Sequence, residues 1–271
     1  MTQDHVGYSR AGSSPALGTK MGRQVGFMFC NGGYHLETVQ LFDLPVTITE
    51  KAELLELLTD RVMNGMKTFV VTANASIVVR ATEDKAYREA IQRADVIFPD
   101  GIGVVWAIRR IHKKQSSRIT GIETMIELCR ISQQRNWRVF LLGGRKEVVT
   151  KAAEHLNKQF NNIVCGYYHG YFTGNEPVEM INKSGADLVF VGMGVPKQEL
   201  WISENLSKIN AILAMGVGGS FDVVSGFKKR APVFIQKIHL EWLYRFFQSP
   251  LDKKNVPRDV FKFIRIVLSH H

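Results

Sequence analysis

Cysteine is scarce in this chain of 271 residues. Cys30, Cys129 and Cys165 show no paired spacing, which argues against a disulfide framework and a cysteine-based zinc site. A reducing compartment is expected. No apolar run reaches the roughly 18 residues of a membrane span, and the N-terminus has no continuous apolar core of a secretory signal. Together these point to a cytoplasmic protein. Asp-x-Asp pairs and a Walker loop are also missing, and His112, His155, His169 and His239 share no metal-ligand spacing. No metal and no bound cofactor are therefore expected.

Acidic charge is in short supply as well. Lys and Arg total 35 against 25 for Asp and Glu, a formal net charge of +10. That excess suits an anionic partner such as a nucleotide, a nucleic acid or an acidic membrane surface. The aromatic residues form no base-stacking motif, so nucleic acid is not the expected partner. Hydrophobic residues make up 45%, enough for a packed core.

Residues 1–36 carry no periodicity and read as a disordered leader. Beyond them, "ITEKAELLELLTDRVMNG" has leucines at helical spacing, with Thr49 as the expected cap and Gly65 as the stop. Short apolar runs then alternate with helical segments. The runs are TFVVTAN (68–74), DVIFPDG (95–101), RVFLLGG (138–144), NIVCGYY (162–168), LVFVGMG (188–194) and AILAMGVGG (211–219). Each is continuous rather than alternating, as strands covered on both faces should be. The rhythm predicts an α/β fold: a Rossmann-like, mostly parallel sheet with helices on both faces over 37–226. Residues 227–271 have helical patterning without strands, mix aromatics with Lys and Arg, and read as a helical appendage.

Ligands of such sheets sit beyond the carboxyl ends of the strands. Those ends carry Thr72 and Asn74, then Asp100 and Gly101, then Gly143 and Gly144, then Gly192 and Gly194 followed by Gln198 and Glu199, and finally Gly216, Gly219, Ser220 and Asp222. Asp100 could act as a general base, or simply cap the helix that follows it. Arg118 stands before another helix, where a guanidinium suits a diphosphate. The glycines after the last run resemble a dinucleotide fingerprint, but Phe221 stands where the third glycine belongs. A nucleotide-binding oxidoreductase is the alternative function.

Several blocks in order resemble one family: TANASIVVRA, ADVIFPDGIGVVWAIR, RITGIE, VFLLGG, GYF, VGMGVPKQELWI, GVGGSFDVVSGFKKRAP and LEWLYRFFQSP. Together they are similar to the WecG/TagA/CpsF glycosyltransferases, bacterial enzymes of cell-surface polymer synthesis. The resemblance implies an inverting, metal-independent transferase. The donor would be a UDP-sugar, with N-acetylmannosamine or its uronic acid as the hexose. The acceptor would be polyprenyl-diphosphate-linked N-acetylglucosamine, in polysaccharide or teichoic acid synthesis. On this resemblance Asp100 is the base, while Thr72 and Arg118 belong to the catalytic site. Many relatives carry proline where this chain has Ala73.

A lipid-anchored acceptor gives 227–271 a purpose, docking on the anionic inner face of the plasma membrane. Trp242, Tyr244, Phe246 and Phe247 would enter the interface, and Lys228, Lys229, Arg230, Lys237 and Arg245 would meet headgroups or the acceptor diphosphate. "GVGGSFD" would let backbone and Asp222 approach a uridine nucleotide. A homo-oligomer is compatible with the resemblance.

Overall fold

A computed structural model describes residues 25–29, 35–232, 234–235, 241–248 and 255–270. The six apolar runs all become strands of one sheet: β4 (Thr68–Ala73), β5 (Val96–Pro99), β6 (Val139–Gly143), β7 (Val164–Tyr168), β8 (Leu188–Gly192) and β9 (Leu213–Gly216). Their order is β5-β4-β9-β8-β6-β7, and every pairing is parallel. All carboxyl ends therefore open on one edge. Every residue of β4 is buried, the consequence of helices on both faces.

One face is covered by α2 (Ala75–Glu83), α3 (Lys85–Ile91), α4 (Ile102–His112), α7 (Glu176–Ser184) and α8 (Lys197–Asn205). The other carries α1 (Lys51–Met63), α5 (Gly121–Arg135), α6 (Lys146–Gln159) and the short α9 (Ser220–Val224). In α1 the leucines at helical spacing, Leu54, Leu57 and Leu58, all face inward. Its cap is Glu50 rather than Thr49. The Glu50 side chain and that of Glu53 form a capping box, and the Thr49 hydroxyl donates to Glu53 instead.

A second, antiparallel sheet precedes the main one: β1 (Val25–Phe29), β2 (His35–Leu41) and β3 (Leu44–Ile48). Strand β1 lies inside the stretch read as a leader; residues 1–24 and 30–34 lie outside the described residues. This small sheet packs beside the edge strand β5 and is tied to α4, where His112 Nε2 lies 2.9 Å from the Gln40 carbonyl. It thereby covers one exposed edge of the parallel sheet.

The stretch read as an appendage divides in two. The helix Val256–Ser269 packs on α2 and α4, and its Phe263 and Val267 are buried in the core of that face. The helix Glu241–Gln248 touches the body through side-chain bonds described below. No helix among the described residues is long and apolar enough to cross a membrane.

Candidate active site at the carboxyl edge

Strand β5 ends at Pro99, so Asp100 is carried to the rim by the sheet itself. One of its two readings, the cap of the following helix, is excluded. The cap of α4 is Gly101, not Asp100. The Asp100 carboxylate reaches sideways, where Oδ1 accepts a hydrogen bond from the backbone N–H of Gly121, 2.9 Å away, at the first turn of α5. A carboxylate is favoured there by the positive end of the α5 dipole. The Asp100 N–H is spent on the Ala73 carbonyl, which locks the β4 and β5 ends together.

Thr72 is nearly fully buried beneath this arrangement. Its hydroxyl donates to the Gly216 carbonyl at 3.2 Å. A methyl on Gly121 would come to 3.0 Å from Thr72 Cγ2, so Thr72 supports the residue that holds Asp100. Asn74 caps α2, its Oδ1 accepting from the Ile77 N–H at 3.2 Å. Gly101 packs on the Asn74 side chain.

Arg118 joins the same cluster. Its Nε donates to the Asp100 carbonyl at 2.9 Å, and a terminal nitrogen reaches Glu241 Oε2 at 2.7 Å. Glu241 is buried and begins the Glu241–Gln248 helix. The C-terminal region thus contributes a carboxylate directly to the rim. Sequence reasoning missed Glu241 because no motif links it to a residue 123 positions earlier.

The glycines serve packing as much as access. A Cβ on Gly143 would collide with the Gly192 carbonyl carbon at 2.5 Å, and one on Gly192 with the Phe221 ring at 2.7 Å. The N–H groups of Gly144, Gly194 and Gly218 already donate to Gly192 O, Gln198 Oε1 and Gln198 Oε1. A Cβ on Gly216 would lie 2.7 Å from Gln198 Nε2. Gln198 and Glu199 are 2% and 1% exposed, so they hold the loops from within rather than line the rim. Burial pushes the Glu199 carboxyl up to about 7, against the lowering effect of hydrogen bonds from Gln198 and Tyr87.

Ser220 is buried and donates to the Val217 carbonyl, while Gly219 caps α9. Asp222 stands 3.7 Å from Lys228 Nζ. Arg230 pairs with Glu123. Burial raises the Glu123 carboxyl, but the Arg230 hydrogen bond and charge help to outweigh it and leave the group below its usual range. Lys229 is exposed, its carbonyl accepting from Gln248 Nε2 at 2.9 Å. Trp242 is half-buried; the Arg245 side chain and Lys237 lie outside the described residues.

Two clefts flank this edge. One, of about 420 Å³, begins just past Gly121 and lies between α5, α6 and α9, with Ile122, Ile126, Val223, His155 and Arg230 in its walls. The other, of about 530 Å³, is open and lined by Arg145, Lys146, Glu147, His169 and Tyr171 beyond β6 and β7. The basic pair there directly follows Gly143-Gly144, a sequence signal that the glycines overshadowed. Neither cleft is lined by Asp100, so the candidate chemistry stands on the hydrogen-bonded cluster at the β4 and β5 ends. Among the described residues no group of three or more His, Cys, Asp or Glu is arranged to hold a metal ion.

Comparison with known proteins agrees with this architecture. Residues 39–271 match the model of the glycosyl transferase WecG/TagA/CpsF family. Relatives include the N-acetylglucosaminyldiphosphoundecaprenol N-acetyl-beta-D-mannosaminyltransferases of Staphylococcus aureus. Those of strains NCTC 8325 and COL are each 43% identical over 192 residues, spanning 70% of this chain and 74% of the relative. The strain MRSA252 protein is 42% identical over the same length. The chain belongs to the WecG/TagA/CpsF family of glycosyltransferases.

Proposed function

We propose that this protein transfers N-acetylmannosamine, or its uronic acid, from a UDP-sugar to polyprenyl-diphosphate-linked N-acetylglucosamine. The observation that carries the reading is the cluster at the rim, where Asp100 is oriented by Gly121 and backed by Arg118. The names of the Staphylococcus relatives support the sugar and the acceptor.

The reaction is a single inverting displacement. An acceptor hydroxyl attacks the anomeric carbon as Asp100 takes its proton, and UDP leaves from the opposite face. General-base help of this kind contributes about 10²–10⁴-fold. Charge growing on the UDP leaving group meets cations, of which Arg118 is the nearest to Asp100 and Arg145 and Lys146 stand at the open cleft. Several glycine N–H groups are already bonded within the protein, so guanidinium and ammonium groups take the larger share. The transfer needs no divalent ion, a reading supported by the absence of an Asp-x-Asp pair. The oxidoreductase alternative is disfavoured, because Phe221 fills the third glycine place and is buried against Gly192.

The protein works at the inner membrane face and docks through the outer sides of its C-terminal helices, while Glu241, Phe263 and Val267 of the same stretch belong to the catalytic body. Exposed Phe261, Ile264 and Leu268 recur on the outer side of the last helix, and Arg258 and Arg265 are exposed beside them. Phe247 adds a further exposed ring. Each basic residue near an anionic surface is worth about 1 kcal/mol. Lys228 and Arg230 stand in ion pairs with Asp222 and Glu123, so Lys229 is the more accessible cation of that cluster.

A donor screen tests the catalytic reading. Several UDP-hexoses are offered with a lipid-diphosphate N-acetylglucosamine analogue and excess chelator, and UDP release is measured. UDP-N-acetylmannosamine or its uronic acid should turn over. NAD binding with no UDP affinity would overturn the assignment. Docking is tested with Phe261→Ser/Ile264→Ser, which should lose sedimentation with anionic vesicles while staying folded; unchanged sedimentation would refute it.

A further inference from the structure

A buried chain of side chains connects α3 to two of the rim loops. The Tyr87 hydroxyl donates to Glu199 Oε2 at 3.0 Å. Glu199 Oε1 accepts from Gln198 Nε2 at 2.6 Å. On its other side Gln198 Oε1 accepts from the Gly194 N–H at 3.2 Å and the Gly218 N–H at 3.0 Å. Those glycines belong to the loops after β8 and β9, and both have positive φ, 77° and 53°. One amide oxygen therefore pins both loops.

An amide can point either way, and the chain decides which. A carboxylate has only acceptors to offer, so Glu199 demands the NH₂ end of Gln198. The oxygen must then face the two loop N–H groups. Without an acceptor at 199 the buried NH₂ end would lose its partner, and only the two loop N–H groups would be left to hold the amide. We infer that Glu199 and Tyr87 are positioning residues, which hold the Gly194 and Gly218 loops in register by fixing the orientation of the Gln198 amide. This rests on the reading of those loops as part of the donor nucleotide site.

The surroundings isolate the chain. Strands β4, β8 and β9 face it with Phe69, Val71, Ala73, Val189, Val191 and Ala214. Among the described residues no cation forms an ion pair with Glu199. Arg80 and Asp84 act at a distance on Tyr87 with opposite signs. On α3, Lys85 pairs with exposed Glu89 and Arg88 donates to the Ala81 carbonyl. Beyond α8, Lys208 donates to Asn205. Glu199 therefore titrates largely on its own. As pH falls through about 7 its carboxylate is protonated and becomes a weaker acceptor for the Gln198 NH₂.

The test uses the full chain with UDP as the probe. Hydrogen exchange is followed at Gly194 and Gly218, and UDP affinity is measured from pH 5.5 to 8.5. Glu199→Met should speed exchange at both glycines and weaken UDP binding about tenfold, the scale of one lost hydrogen bond. Glu199→Gln keeps an acceptor and should restore both to within about threefold of the native protein. Native affinity should fall below about pH 7, and Glu199→Gln should remove that inflection. Tyr87→Phe takes away a donor to the ionised form, so its inflection should move to higher pH. Native exchange in a folded Glu199→Met, or pH-independent loops in the native protein, would overturn the inference. If the loops respond as expected but UDP does not bind, the inference stands and the donor reading fails.

Discussion

The two halves of the sheet's carboxyl edge are built differently. At the ends of β4 and β5 the edge carries polar and charged side chains, Thr72, Asn74, Asp100 and the neighbouring Arg118, each oriented by a backbone partner. At the ends of β6, β8 and β9 it consists of glycines packed so closely that several could not carry a Cβ. Their amides are held from below by Gln198 and by one another. On the proposed function the first half supplies the chemistry and the second the shape. Substitutions in the first half should strike turnover, while those in the second should strike stability and donor affinity together.

The two halves can be pulled apart by experiment. The largest effect expected is on the foundation of the first half. Phe263 lies against Gly103, just inside α4, where a Cβ would be 3.3 Å from its ring. Phe263→Ala should cost about 3–5 kcal/mol of stability, read as a drop in the urea midpoint. For the same reason, deleting 231–271 would strip the core as well as the docking surface, so single substitutions are the cleaner probe. Arg118→Gln should come next, lowering kcat for transfer about 10²–10³-fold. Adding Glu241→Gln, which removes the carboxylate that Arg118 pairs with, should not restore the rate.

A pH effect of similar size belongs to the second half. The folded pKa of Glu199 is raised from 4.5 to about 7, so its stabilising contribution is full below pH 4.5 and is lost as pH rises through about 7. The difference in unfolding free energy between native protein and Glu199→Gln should change by on the order of 3 kcal/mol between pH 4 and pH 8. Gly192→Ala is the smallest, about 1–3 kcal/mol, because the new methyl meets the Phe221 ring. It should weaken UDP binding in step with stability, which no first-half substitution should do.

Much of this could be read from the chain. Continuous apolar runs predicted the parallel sheet, and the residues that end them reach one edge. The placement of Asp100 and Arg118 near one another at that edge is consistent with their blocks, and their roles stay a proposal. Burial was not legible. Gln198 and Glu199 follow a glycine turn as ligand contacts often do, yet α8 turns them inward beneath the loops. The β2–β3 hairpin was hidden for a different reason. Its turn places Phe42 and Asp43 at φ 51° and 65°, with no glycine to announce it. Glu241 was invisible because only tertiary folding brings it to Arg118.

The most direct test is Asp100→Asn, in which the side chain keeps its size and its acceptor for Gly121 but loses the base. UDP affinity and transfer to the lipid-diphosphate acceptor are measured on the same folded preparation. The account predicts native UDP affinity with transfer reduced at least about 10²-fold. Full transfer by the folded variant would contradict it.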